Sequence, residues 1–114
     1  MPSLPFVRSG ACAWDAMGPG VRRQVLGHAE DLMLVRVDFE AGAAGAIHSH
    51  PHRQVSYVAS GRFAVTIGTD VSELGAGDSF VAAADVPHGV LALEPGTLID
   101  TFTPARADFL APAV

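Results

Sequence analysis

The sequence predicts an all-β protein, a sandwich or small antiparallel barrel, and three observations carry that expectation. Short segments of alternating apolar and polar residues nearly fill the chain. Between Gly20 and Pro104 no helical i, i+3, i+4, i+7 apolar stripe escapes interruption by glycine or proline. Twelve glycines and eight prolines among 114 residues supply enough turns to separate many short strands.

The expected strands follow in order. Gly18-Pro19-Gly20 turns the chain into a first segment at 21–26, and a polar stretch separates this from 32–39, where Leu32, Leu34, Val37 and Phe39 are read as the alternating set. Gly42 and Gly45 precede 46–50, and Pro51 breaks the chain before 54–59. Gly61 opens 62–67, with Phe63, Val65 and Ile67 on one face. Gly68 separates this from 71–74, and Gly75 and Gly77 lead to 79–82. Pro87 precedes 89–93, and Pro95-Gly96 precedes 98–102, where Leu98-Ile99-Asp100-Thr101-Phe102 alternates again. Helix is expected only as a turn near either end. The run Ala82-Ala83-Ala84 lies between Gly77 and Pro87 and is too short to nucleate one.

The length fits one domain over 1–114. An apolar content of 49% beside a charged fraction of only 17% argues for a packed core with one face left to be covered, so a homodimer is expected. The net charge of −5 comes from twelve acids against seven arginines, and the arginines are scattered from Arg8 to Arg106. A nucleic-acid partner is therefore not expected. Cys12 is the single cysteine, which excludes an intramolecular disulfide and a CxxC metal or redox site. No apolar run is long enough to cross a bilayer as a helix, and residues 1–14 contain no continuous apolar leader segment, so a cytoplasmic protein without a membrane partner is expected.

The chemistry starts at His48-Ser49-His50-Pro51-His52-Arg53-Gln54. On an extended strand, residues two apart point to one face, so His48 and His50 can present both imidazoles to the same point. A turn at Pro51 brings Gln54 back beside them, and an adjacent antiparallel strand can bring His88 to the same place. Three imidazoles and one amide oxygen make a shell for one divalent metal ion with positions left open. The competing readings are structural or surface histidines, and an ordinary strand glutamine at 54. His52 is expected at the rim, and His28 in a surface turn.

These residues resemble the cupins, whose first motif reads G-x5-H-x-H-x3or4-E-x6-G. Gly42, His48, His50 and Gly61 fit it at the right intervals, with Gln54 at the glutamate position. Gly77 and His88 fit the second motif, while Ala83, Asp85 and Ala92 replace its proline, glycine and asparagine. A narrower resemblance, to the KdgF-type pectin-degradation cupins, runs through 20–23, 31–35, 48–52, 54–55, 60–63, 76–80, 87–90 and 101–106. It implies an RmlC-like jelly-roll barrel, the cupin double-stranded β-helix, with the metal in its mouth and dimers formed through an outer sheet face. It also implies conversion of 4,5-unsaturated uronates, released by pectin and alginate lyases, into linear keto sugars. The partner is then a small anionic sugar, and by motif the catalytic residues fall on Asp100, Phe102 and Arg106.

These residue types suit that reaction. Opening the unsaturated ring leaves an enol that must collect a proton, a task for a metal and a carboxyl group such as Asp100. An acid among Leu98, Ile99 and Phe102 is costly to bury without a purpose or hydrogen bonds. Phe102 is otherwise core. Arg106 either makes a two-pronged contact with the uronate carboxylate or pairs with Asp108 on the surface. Gln54 in place of a glutamate ligand adds positive charge to the site, which disfavours higher-valent metal states. The metal identity stays open among Ni, Mn, Fe, Co and Zn. Two other functions compete: an iron-dependent cupin dioxygenase, and a non-catalytic module that binds a metal or small acid. Arg22 and Arg23 point to opposite faces of a strand, so at most one looks inward; neither is assigned to the site. Trp14 and Tyr57 are expected to serve packing or a dimer contact.

Overall fold

The structure is a computed structural model in which residues 2–110 are described. Among these, ten strands form: β1 (Asp15–Gly18), β2 (Val21–His28), β3 (Met33–Phe39), β4 (Ala44–His48), β5 (Arg53–Ser60), β6 (Arg62–Ile67), β7 (Asp70–Gly75), β8 (Ser79–Ala82), β9 (His88–Ala92) and β10 (Gly96–Thr103). A 3-10 turn at Ser9–Ala11 and the short helix α1 (Ala107–Leu110) stand near the two ends. The strands make a six-stranded sheet in the order β1-β2-β3-β10-β5-β8 and a four-stranded sheet in the order β4-β9-β6-β7. Every pairing is antiparallel. This is the all-β architecture that the strand pattern predicts, in the jelly-roll form that the resemblance implies.

The alternation along β10 and β5 builds both the core and the site. On β10, Gly96, Leu98, Asp100 and Phe102 are buried, while Gln54, Ser56 and Val58 take the inward positions of β5. Cross-strand register then sets Asp100 between Val35 and Ser56, and Phe102 between Met33 and Gln54. Val21, Phe39, Val58, Phe63, Val65, Phe80 and Leu98 join the two sheets through one apolar cluster. Phe39 and Phe63 meet edge to face at 5.2 Å within it. Each such side chain contributes about 1.5–3 kcal/mol of burial. The apolar cluster leaves the inward polar residues of β5 and β10 a firm wall to stand on.

Gly61 links β5 to β6 with a φ of +82°, and a Cβ there would lie 2.5 Å from the Pro95 carbonyl oxygen. The closing glycine of the first motif is thus required by the backbone twice over, by its left-handed conformation and by close packing.

Three sequence expectations need correction. The fourth strand covers Ala44–His48, so His50 lies beyond its end, in the bend before Pro51. On β3 the inward residues are Met33, Val35, Val37 and Phe39, and Leu32 and Leu34 lie on the other parity. Apolar residues occupy both parities from 32 to 35, which leaves period-two reading without a preferred face. Strand β1 carries no apolar alternation and all four of its residues are exposed, so nothing in its pattern announces it.

Candidate metal centre

Strands β4 and β9 pair with His48 directly opposite His88. The chain leaving β4 carries His50 to the same point, and Gln54, the second residue of β5, faces it. The ring centroids lie 4.5 Å apart for His48 and His88, 4.7 Å for His50 and His88, and 5.4 Å for His48 and His50. One nitrogen from each of the three rings falls within 4.8 Å of the others. His50 and His88 are buried and His48 is exposed, so the cluster opens on one side. The His50 carbonyl oxygen accepts a hydrogen bond from the Asp85 N–H at 2.8 Å. Asp85 holds a φ of +65°, at the position where the second motif carries glycine. Aspartate tolerates this left-handed region better than most residues, so the departure from the motif keeps the turn.

The backbone fixes the tautomer of all three rings. His48 Nδ1 donates to Ala46 O at 2.8 Å, His50 Nδ1 to His52 O at 2.9 Å, and His88 Nδ1 to Val86 O at 2.9 Å. A carbonyl oxygen only accepts, so each Nδ1 carries a hydrogen, and a neutral ring then keeps its lone pair on Nε2. His88 Nε2 is buried without a hydrogen-bond partner. Burial, with the neighbouring imidazoles adding to it, holds the His88 pKa below the ordinary histidine value and favours the neutral ring.

The amide of Gln54 is oriented by the same kind of accounting. Ser56 donates its hydroxyl hydrogen to Asp100 Oδ1 at 2.6 Å, so its oxygen accepts from Gln54 Nε2 at 2.9 Å. That leaves Gln54 Oε1 facing His50 Nε2 at 3.0 Å. At that distance the two atoms are compatible either through a proton on His50 Nε2 or, with the ring neutral, through a cation that both lone pairs face. Three imidazole nitrogens and an amide oxygen converging in this way fit a divalent ion.

His48, His88 and Gln54 form part of the wall of a cavity of about 730 Å³ that opens between the sheets. Asp100, Phe102 and Arg106 all line this cavity. Burial pushes the Asp100 pKa up to about 6, against the Ser56 hydrogen bond and the His48 and Arg106 charges, which pull it down. Phe102 serves both readings: it packs with Met33 and Val35, and its ring stands 5.8 Å from that of His50. Arg106 donates through Nε and Nη2 to the two oxygens of Asp108 at 3.0 and 2.8 Å, the pairing weighed against a site role. Yet its side chain is only 12% exposed and lies against Phe102 and Phe109, so the pair belongs to the cavity wall and not to the open surface.

Other residues divide as follows. His52 contributes its carbonyl oxygen to His50 and stays outside the cluster of three. His28 ends β2, part-buried, where a surface turn was expected. Trp14 is covered by Arg22 at 3.8 Å and Tyr57 points outward from β5, so neither lines the cavity. Arg23 does line it, together with Asp108 and Phe109, and sequence reasoning assigned none of these three to the site. The available signal for Arg23 is its parity with Val21, which is buried at the start of β2.

Comparison with known proteins agrees with this geometry. The cupin domain family model matches residues 35–102. The pectin degradation protein KdgF of Dickeya dadantii is 46% identical over 99 residues, covering 85% of this chain and 90% of that protein. Among solved structures, an RmlC-like cupin from Shewanella frigidimarina superposes with a TM-score of 0.91 at 42% identity, over 95% of this chain and 97% of its own. KdgF from a Halomonas species gives a TM-score of 0.88 at 38% identity, over 94% of this chain and 99% of its own.

Proposed function

The chain belongs to the cupin family and is similar over most of its length to KdgF, and from that premise we propose that it converts 4,5-unsaturated uronates into linear keto-deoxyuronates by ring opening and ketonisation. The observation that carries this reading is a buried carboxyl group with a pKa raised to about 6, lining the same cavity as His48 and His88 of the three converging imidazoles. A proton carrier poised near neutral pH beside a cation site is what enol chemistry on an acidic sugar needs.

His48, His50, His88 and Gln54 would hold one divalent ion, which when bound supplies Lewis acidity for negative charge developing on the substrate oxygens. Asp100, as the carboxylate, accepts the proton of the C1 hydroxyl while the bond from C1 to the ring oxygen opens. An aldehyde forms at C1 and the former ring oxygen becomes the enolate oxygen at C5. Asp100 then returns the proton to C4, and the C5 ketone forms. The net change breaks O1–H and C1–O5 and makes C1=O and C4–H, so the product is an isomer and no oxidant or reductant is consumed. Phe102 walls off water on one side of the cavity, which helps keep the Asp100 proton affinity high. Arg106 adds positive charge at the cavity wall and favours an anionic sugar.

Purified protein loaded with each of Ni, Mn, Fe, Co and Zn is incubated with lyase products, and the ultraviolet absorbance of the conjugated enol is followed. Loss of absorbance with at least one metal is the expected result, and no loss with any of them overturns the proposal. Oxygen uptake in its place would favour the dioxygenase reading. A homodimer belongs to the same proposal. Its face is the outer side of the six-stranded sheet, where Val55 and Val81 are cross-strand neighbours exposed by 47% and 63% beside Tyr57. Light scattering reads its mass.

A further inference from the structure

We propose that Arg23 is the residue that anchors the carboxylate of the ligand, and that Arg106 is held by Asp108 as its neighbour. The inference rests on the uronate reading for the class of ligand, a sugar acid, and on the cavity for everything else.

Two guanidinium groups line this cavity, and both lie against the ring of Phe109, Arg23 at 3.6 Å and Arg106 at 4.2 Å from its centroid. Their hydrogen bonding differs. Arg106 spends the Nε and Nη2 edge of its fork on Asp108, the edge with which arginine grips a carboxylate in two-pronged fashion. Arg23 has a side chain only 16% exposed, and its Nε is buried with no hydrogen-bond partner. Asp15 forms a loose ion pair with Nε at 3.8 Å, beyond hydrogen-bond reach, and is itself half exposed. Burial and the nearby Arg106 charge both act to lower the Arg23 pKa, against Asp15 and Asp108.

A buried donor without an acceptor is costly, and such a group in a native structure calls for a partner. Register explains where that partner sits. Arg23 pairs with Val37 on β3, and Val37 with Leu98 on β10, so Arg23 stands on the inner face of the sheet, one cross-strand row away from Val35 and Asp100. A carboxylate taken into the cavity meets a desolvated guanidinium there, on the same sheet face as the proposed proton carrier. A planar, two-oxygen anion suits that donor better than a hydroxyl does.

The test uses metal-loaded full-length protein and three variants, Arg23→Gln, Arg23→Lys and Arg22→Gln. Arg22 points to the other face, where it pairs with Asp38 and covers Trp14. Initial rates with unsaturated galacturonate and with its methyl ester give KM and kcat, and calorimetric titration with saturated galacturonate and with galactose gives affinity without turnover. For Arg23→Gln the expected result is an increase in KM and in the galacturonate Kd of about 10- to 100-fold, the loss of one charged hydrogen-bonded contact. Effects on the methyl ester and on galactose should stay within about 3-fold, well under the order of magnitude assigned to that contact. Arg23→Lys should fall between, and Arg22→Gln should match the parent, with metal content equal throughout. Equal losses for the acid and its ester, or no loss for either, overturn the assignment. Galacturonate binding that depends on Arg23 in a protein that leaves the unsaturated sugar unchanged would retain the anchor and remove the reaction. A parent protein that binds no galacturonate removes the anchor.

Discussion

The Ser56 hydroxyl and the Asp100 carboxylate meet at 2.6 Å in the buried wall of the cavity, and this contact decides which atom Gln54 shows to the histidines. With its one hydrogen committed to Asp100, the serine oxygen can only accept, and the amide is left one orientation. A proposed proton carrier and a proposed metal ligand are therefore joined by a single hydroxyl.

Removing that hydroxyl should loosen both ends. Ser56→Ala leaves the Gln54 amide hydrogens without their acceptor, and metal affinity should fall by about 10- to 100-fold, as it does when partners of metal ligands are lost. Competition with a chromogenic chelator measures this. Unchanged affinity would mean that the amide orientation does not matter to the ion.

Asp100→Asn should reduce turnover by about 10²- to 10⁴-fold, the usual contribution of a positioned acid or base. Metal content should stay at the parent level, because the asparagine side chain can still accept from Ser56. The absorbance assay and metal analysis on one sample read both quantities. Full activity in this variant would remove Asp100 from the mechanism.

Asp100 also carries a pH signature in the metal-free protein. Its pKa rises from 3.8 when unfolded to about 6 when folded, so the native state binds more protons between those values and stability falls as pH rises through that window. Below about pH 4 the group is protonated in both states and contributes no penalty. Above it the penalty grows to about 3 kcal/mol, and Asp100→Asn escapes it. Denaturant unfolding of the two proteins across pH 4 to 8 should diverge, with the variant the more stable at high pH. Parallel curves would refute the burial argument.

His50→Ala removes the imidazole that contacts Gln54 and stands 5.8 Å from the Phe102 ring, and bound metal should drop to background by elemental analysis. Retention of a full equivalent would place the ion elsewhere. Chelation of the parent should abolish activity, with recovery on adding a divalent ion back.

Gly61→Ala tests the backbone instead of the site. A left-handed φ and a Cβ 2.5 Å from Pro95 O together should cost about 3 kcal/mol in stability, read from the denaturant midpoint. A loss under about 1 kcal/mol would show that the hairpin relaxes freely.

Much of this was legible in the sequence, for physical reasons that differ by residue. Strand 62–67 matched because Gly61 and Gly68 bracket it and its faces differ clearly in polarity, and 79–82 matched because the Gly75 and Gly77 turn opens it. His48 and His88 were legible as candidate ligands from their motif intervals, while their direct pairing joins two strands 40 residues apart and is a product of the fold. His50 was read onto a strand that ends two residues earlier, since a bend and an extended chain can both bring its ring to the cluster. Arg23 and Asp108 went unassigned because their place depends on β2 parity and on the turn into α1, neither of which leaves an alternating pattern. The order of donors and acceptors from His50 to Asp100 is a property of three-dimensional contact that spans 44 positions between Ser56 and Asp100, and spacing alone does not encode it.

The imidazoles of this protein are aimed by main-chain carbonyls, those of Ala46, His52 and Val86. Every amino acid brings the same carbonyl, so point changes at those three places leave the aiming intact so long as the turn is kept. Evolutionary drift or laboratory selection for a different ion is thereby channelled toward the fourth position, where a side chain does the steering: Gln54 and the serine behind it are where the preference of the site can be rewritten.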